Sequence, residues 1–383
     1  MKILLTTDVF PPYVSGVAFY TRDVASALLK KGIEVRILAP DYKTGNSPLE
    51  EKLFAAFSIN LPFYPLMRVG FPARKIFSLT EKFNPDIIHA QTQGSIGWWS
   101  LKAAKRMKKP LIGTYHTYFL YQNNFEKAGL AFLYPSFDRW VWRYQRWFYN
   151  QFDGLISPSE HLIGYLKDQR LEVPITHIPN PVDLKKIKPG RVNKKKLGIK
   201  YKLGEKNILY VGRVAGEKNL DNLIRAFKLV RKSCPAAKLI VVGGGPAMAL
   251  LKKMARQLML REGIVFTGFI KREKLFDSGL FEAADFFATA SESENQPISL
   301  LEAMAFGLPI VGVAAMGVSE LVTNNGLLSP PGDIEKLAGN MSLLLKNESL
   351  RRKLGKNSRQ NALDYDLDQV VDRLTDYYRG FLS

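Results

Sequence analysis

The sequence predicts an α/β protein made of two doubly wound parallel-sheet domains in tandem. Short apolar runs alternate with stretches of helical periodicity, the pattern of strand–helix–strand units whose strands lie parallel. The alternation restarts after a strongly basic stretch near the middle of the chain. The length, 383 residues, suits two domains at roughly 150 residues or more each.

In the first half, Lys2–Thr7 reads as the opening strand. Pro11, Pro12 and Gly16 mark a loop, Val17–Lys31 has helical spacing, and Gly32 stands where a helix ends. Ile33–Ala39, Asp86–Ala90, Pro110–Tyr115, Gly154–Ser157 and Pro174–Ile178 are further strands. In the second half, Asn207–Val211, Lys238–Val242, Ile264–Thr267, Ala284–Thr289 and Pro309–Val313 read as strands, with helices over Leu220–Lys232, Ala249–Leu260 and Ser299–Phe306. The joint falls within Pro181–Lys202. Doubly wound domains bind ligands at the carboxyl ends of their strands, so two that face each other would make a cleft.

Composition excludes several classes. Apolar residues are 46% and charged residues 23%, which excludes a disordered or fibrous chain. The single cysteine, Cys234, excludes a disulfide scaffold or a cysteine zinc site and suits a reducing compartment. The apolar window Leu308–Val318 is broken by Pro309, Gly312 and Gly317 and falls short of the about 20 residues that span a bilayer. The opening MKILLTTDVFPP is too short in its apolar run for a secretory signal. A cytoplasmic location follows as the expectation.

Charge is the outlier, at +20. Lys185–Lys206 alone holds ten basic residues and one acidic residue. Two readings stay open for that run: attraction to an anionic partner, or a lysine-rich solvated surface.

The sharpest chemical signal is Glu294-Asn-Gln-Pro-Ile-Ser-Leu-Leu-Glu302, two carboxylates eight positions apart across a helix start. Pro297 suits the first helical position, and the N–H groups of Ile298 and Ser299 then open the helix as a phosphate site. Gly212-Arg213 ends a strand and Lys218 precedes the next helix, so two cations are placed to hold a pyrophosphate. Gly243–Pro246, with Gly244, and Gly268 before Phe269 and Ile270 end two more strands, where glycine permits close backbone approach. His116 lies at the carboxyl end of a strand beside Thr114, Tyr115 and Thr117, which favours a site over a core histidine. His89 stays open between the two, and His161 and His177 read as structural. Asp364-Tyr-Asp366 precedes a helical stretch and reads as capping.

Taken together, these residues make the chain similar to the family-four retaining glycosyltransferases of the GT-B fold. The resemblance rests on Glu294/Glu302, Gly212-Arg213 with Lys218, Gly307-Leu-Pro-Ile-Val and Pro331-Gly332-Asp333. It also rests on Asp8-Val-Phe-Pro11 with Gly16-Val17, Asp86-Ile-Ile-His89 and Tyr115-His116-Thr117. It departs in Ser15 before Gly16, and in Asn295-Gln296-Pro297 after the first glutamate, where it is closer to family members that glycosylate lipids. The resemblance implies two Rossmann-like domains facing across a cleft. Residues 1–181, joined by a C-terminal helix over 366–383, would form the acceptor side, and 182–365 the donor domain. It implies transfer of a hexose from a nucleotide-diphosphate sugar with retention. Arg213 and Lys218 would hold the diphosphate and Glu302 the ribose. Glu294 would contact the hexose and Gly16 the donor phosphate. His116 would sit beside the reacting sugar, and Phe269, Ile270 and Lys271 would flank the base. The nucleotide sugar is then a substrate. No cofactor or metal is expected, since preorganised cations and helix N–H groups can stabilise the leaving diphosphate.

Two aromatic stretches bear on the acceptor. Leu53–Phe57 continues through Leu61–Arg68 to Phe71–Lys75, and reads as a surface loop suited to an anionic lipid. Phe137–Phe152 interleaves Trp140, Tyr144, Trp147 and Phe148 with Arg139, Arg143 and Arg146. Its spacing reads as mostly core. The expected partners are the nucleotide-sugar donor and an anionic membrane surface or lipid acceptor, with the protein peripheral on the inner face of the membrane. A soluble sugar acceptor and a nucleotide-sugar epimerase are the alternatives. Nucleic acid is not expected, because no recognised motif accompanies the charge.

Overall fold

The computed structural model describes residues 1–42, 49–61, 64–116, 134–188, 190 and 194–382, with the side chains of 61, 64–67, 194 and 195 outside that description. The chain divides into two compact units, Met1–Pro181 with Leu367–Ser383, and Val182–Asp366.

Unit 1 is built on a sheet of eight strands: β1 Lys2–Thr6, β2 Glu34–Pro40, β3 Leu53–Leu61, β4 Tyr64–Phe71, β5 Ile87–Ala90, β6 Leu111–Thr114, β7 Gly154–Ser157 and β8 Ile175–His177. Their order is β4-β3-β2-β1-β5-β6-β7-β8. All neighbours pair in parallel except the edge hairpin β3–β4. Ile3, Leu4 and Leu5 on β1 are all buried, as a parallel strand covered on both faces requires. The N-terminus of the helix Gly16–Lys30 is capped by Ser15, whose hydroxyl accepts from the Ala18 N–H at 3.1 Å. Asp8 performs the same service for the helix Ser95–Met107. Its carboxylate accepts from the Ile96 N–H at 2.8 Å and from the Thr92 and Ser95 hydroxyls.

Unit 2 carries six parallel strands: β9 Lys206–Val211, β10 Ala237–Val242, β11 Ile264–Gly268, β12 Phe286–Ala288, β13 Ile310–Val313 and β14 Gly326–Ser329. Their order is β11-β10-β9-β12-β13-β14. Alternate residues of β10 feed opposite cores. Leu239 and Val241 pack with Ile224 and Phe227, while Ile240 and Val242 pack with Leu300 and Phe281. The sheet is therefore covered on both sides, and the strand ends are left to build a site.

Three expectations are corrected. The stretch from Leu61 to Lys75 is not a loop: Tyr64–Phe71 is β4, paired antiparallel with β3, and Arg74 opens the helix Arg74–Phe83. Apolar residues on the exposed side, Phe57, Ile59 and Phe71, a polar one on the buried side, Ser58, and the prolines Pro62 and Pro65 hide this from the sequence. Residues 62 and 63 lie outside the described residues. In the helix Tyr134–Tyr149 the buried stripe is Trp142, Gln145, Phe148 and Tyr149, whereas Trp140 and Trp147 are 63% and 48% exposed. Helical spacing alone offers several stripes, and tertiary packing chose the neighbouring one. Finally, Pro297 is the N-cap, in an extended conformation, and Ile298 is the first helical residue.

Candidate functional site

The unit 2 site is assembled from turns that follow the strands. Gly212, Gly243, Gly245 and Gly268 lace three strand ends together through the backbone. The Gly212 N–H donates to Val242, the Val214 N–H to Gly244, and the Gly243 N–H to Gly268, at 2.9 to 3.0 Å. A Cβ on Gly243 would fall 1.9 Å from the Gly212 carbonyl oxygen, and its φ is +142°. No other residue fits there. Gly244 has ordinary room against Phe269, and its carbonyl serves the Val214 N–H rather than facing outward alone.

Lys218 and Glu294 meet in this frame. Lys218 Nζ donates to Glu294 Oε1 at 2.7 Å, with both side chains about four-fifths buried. Ser293 adds a second tie between the same two segments, its hydroxyl donating to the Glu217 carbonyl at 3.2 Å. The Glu294 carbonyl accepts from the Gly317 N–H at 3.0 Å. Gly317 permits that approach, because a Cβ there would sit 1.4 Å from the Asn295 carbonyl oxygen. The helix Ile298–Ala305 begins three residues after Asn295. Leu300 and Leu301 donate back to the Pro297 carbonyl. The N–H groups of Ile298 and Ser299 precede the first intrahelical bond and open the helix end.

Arg213 and Glu302 each have an ionic partner within the chain. Arg213 is half exposed and paired with Glu217 one turn on. Glu302 is buried, and its carboxylate is held by the Arg272 guanidinium, also buried. Arg272 also lies 5.4 Å over the Phe276 ring. Sequence reasoning missed Arg272, since one arginine in Lys271-Arg272-Glu273 carries no spacing signal. Phe269 is 52% exposed, Ile270 packs on the core, and Lys271 caps the short helix Arg272–Phe276. Only one of these three thus offers a free aromatic face.

The unit 1 site centres on His116, directly after β6 and Tyr115. His116 Nε2 lies 2.8 Å from Gln91 Oε1. Which ring nitrogen carries the proton is set by the orientation of the Gln91 amide. Burial pushes the ring down to a pKa of about 3, so it is neutral at ordinary pH. Its ring packs edge-on against Tyr20 at 4.6 Å, and Tyr20 lies one turn beyond Gly16, the exposed first residue of the same helix. Gln91 was also missed, although its place at the end of β5 is the signal that singled out His116. His89 resolves as a core histidine. It is fully buried, with Nδ1 2.6 Å from the Tyr378 hydroxyl and Nε2 2.7 Å from Thr114 Oγ1. His177 is structural, meeting Glu160 and the Pro158 carbonyl. Thr117 lies outside the described residues.

Known proteins place the chain in a family. Residues 14–186 match the family described as Glycosyltransferase Family 4, and residues 193–361 the family described as Glycosyl transferases group 1. An alpha-monoglucosyldiacylglycerol synthase of Streptococcus pneumoniae is 31% identical over 334 residues, 85% of this chain and 74% of the relative. The sulfoquinovosyl transferase SQD2 of Arabidopsis thaliana is 26% identical, over 92% of this chain and 68% of the relative. In fold, the chain is similar to Anabaena HepE solved in complex with UDP and glucose, with a TM-score of 0.78 at 20% identity, over 99% of this chain and 100% of that one. Two parallel-sheet units, glycine-laced strand ends and a carboxylate-bearing helix start thus converge with the matches over both halves: the chain belongs to glycosyltransferase family four and has the GT-B fold.

Proposed function

We propose that this glycosyltransferase moves a hexose, with retention, from a nucleotide-diphosphate sugar to a membrane lipid or lipid-linked glycan. The observation that carries the reading is the Lys218–Glu294 pair at the open end of the helix Ile298–Ala305. A leaving diphosphate gains negative charge as the glycosidic bond breaks. Lys218, Arg213 and the N–H groups of Ile298 and Ser299 offer fixed positive groups to that charge. Glu294 is an acceptor for hexose hydroxyls, and when donor phosphate draws Lys218 away, its carboxylate turns to the sugar. Glu302, oriented by Arg272, accepts from the ribose hydroxyls. Phe269 stacks the base, with Ile270, Lys271 and Gly244 beside it. In unit 1, neutral His116 sits beside the reacting sugar, with Gly16 leaving room for the donor phosphate. No step requires a metal or a further cofactor.

The lipid acceptor is supported by the relatives named for glucosyldiacylglycerol and sulfoquinovosyl chemistry and by the net charge of +20, which favours an anionic membrane surface. No helix among the described residues is long and apolar enough to cross a membrane; a peripheral position on the cytoplasmic face is part of the proposal. The test is a panel of UDP-, GDP- and ADP-sugars, radiolabelled in the sugar, incubated with lipid vesicles and extracted into organic solvent. Label in the organic phase from one donor supports the reading. Label only in soluble glycan, or conversion of one nucleotide sugar to its epimer, overturns it.

A further inference from the structure

All five tryptophans of the chain, Trp98, Trp99, Trp140, Trp142 and Trp147, fall in two helices of unit 1, Ser95–Met107 and Tyr134–Tyr149. Trp99 and Trp142 are buried, whereas Trp98, Trp140 and Trp147 are 40%, 63% and 48% exposed. The three exposed rings are not scattered. Trp98 and Trp147 meet across the two helices at 5.9 Å, and Tyr144 bridges Trp147 to Trp140 at 6.1 and 6.4 Å. Cations border this strip. Lys102 Nζ lies 4.4 Å over the Trp98 ring, Lys105 reaches Gln151, and Arg139 and Arg143 are exposed. Asp138 is the sole acid of the second helix. The strip is also tied to the reaction centre. The Tyr144 hydroxyl donates to the Gln93 carbonyl and the Tyr149 hydroxyl to Gln93 Oε1, both at 2.7 Å, and Gln91, two residues earlier, holds His116.

We propose that the Trp98–Trp147–Trp140 strip is the face by which unit 1 seats on an anionic bilayer, so that a lipid acceptor meets the His116 site from the membrane. This rests on the lipid-acceptor reading and deepens it. Indole rings have an apolar body and a polar N–H, and they settle at the depth of the headgroups. Lysine and arginine beside them meet lipid phosphates, and their stems lie along the rings. The alternative face in unit 1 is the hairpin, where Phe57 and Phe71 are paired and exposed with Ile59. Arg68 there is held by Ser58 and Asn60, while Arg74 and Lys75, just after Phe71, are exposed, so the hairpin is the competing face and the variants below separate the two.

Because every tryptophan lies in these two helices, intrinsic fluorescence reports on the strip directly. Full-length protein is mixed with phosphatidylglycerol-containing vesicles, with neutral vesicles and with vesicles of brominated phosphatidylglycerol. Transfer is then compared for an acceptor lipid in vesicles and the same lipid in detergent. The proposal expects a blue shift and quenching by brominated lipid in the unaltered protein. Trp98→Ser/Trp140→Ser/Trp147→Ser should lose about tenfold or more in vesicle binding and in vesicle transfer, while transfer in detergent persists. Phe57→Ser/Phe71→Ser should keep vesicle binding. Binding without any change in emission or quenching overturns the proposal and leaves the lipid-acceptor reading standing. The quenching result decides the matter even if the triple variant does not fold. Donor hydrolysis without transfer to lipid in either format overturns the lipid-acceptor reading itself, and this proposal with it.

Discussion

Lys218 Nζ lies 2.7 Å from Glu294 Oε1, joining the turn after β9 to the loop that precedes the helix Ile298–Ala305. The pair holds a cation and a carboxylate at one point with little solvent around them, so each neutralises the other until a charged ligand arrives. On the proposed reading, a donor diphosphate would compete for the lysine and turn the carboxylate to the sugar.

Lys218→Ala and Arg213→Ala should each weaken nucleoside-diphosphate binding by about 1.5–3 kcal/mol, the scale of a hydrogen bond to a charged group. Glu294→Gln should behave differently, because it releases Lys218 from its partner. Affinity for the diphosphate should hold or rise while kcat falls by about a hundredfold. Calorimetry and initial rates separate the two patterns, and a loss of affinity in Glu294→Gln equal to that in Lys218→Ala would argue against the exchange.

Arg272 and Glu302 form a buried pair, 8% and 4% exposed. Removing one partner strands a charge, so Arg272→Met should cost about 3–5 kcal/mol of stability. Arg272→Met with Glu302→Leu should recover most of that loss, while donor binding stays weak because the ribose acceptor is gone. Denaturant titration paired with calorimetry checks both. Restored binding in the double variant would remove Glu302 from the donor site.

The buried histidines predict an acid limb of stability. Burial holds His89 at a pKa of about 3 against an ordinary 6.5, with the His116 charge adding to the effect. As pH falls below 6.5, the unfolded imidazole takes up a proton and the folded one does not, so stability falls until the folded ring also titrates near 3. The slope is up to about 1.4 kcal/mol per pH unit for each such histidine, smaller for His116, part of whose surface is open. Urea unfolding at pH 7.0 and 5.5 should show the decline, and His89→Gln should flatten it. An unchanged slope in that variant would mean that His89 does not carry the effect.

If diphosphate charge is met by Arg213, Lys218 and helix N–H groups as proposed, chelation should leave turnover largely intact. Loss of activity in EDTA, restored by Mn²⁺, would show that the leaving group is stabilised otherwise.

Much of this site was legible in the sequence because its signals are local. Glu294, Pro297 and Glu302 lie within nine residues, and the glycines of the strand ends mark backbone contacts that exclude any side chain. Arg272 was not legible, because its partner Glu302 is brought to it by the packing of two separate helices. Arg213 is at its expected place in the chain, but its pairing with Glu217 depends on a single turn of 3-10 helix, Gly216–Lys218. The hairpin β3–β4 was hidden because its pattern is inverted: Phe57, Ile59 and Phe71 are exposed while Ser58 is buried, so the usual apolar-in, polar-out alternation is missing. In the helix Tyr134–Tyr149 eleven of sixteen positions are aromatic or basic, so periodicity did not choose between Trp140 and Trp142 as the buried ring. Tertiary packing made that choice, with the Trp142 ring against Tyr165 of the helix Glu160–Asp168.

The central claim is retaining transfer of a hexose from a nucleotide-diphosphate sugar to lipid. Proton NMR of the purified glycolipid, made from an α-linked nucleotide sugar, tests it most directly. The account predicts an α-linked hexose on the lipid; a β-linked product, or no glycolipid with any donor, would contradict it.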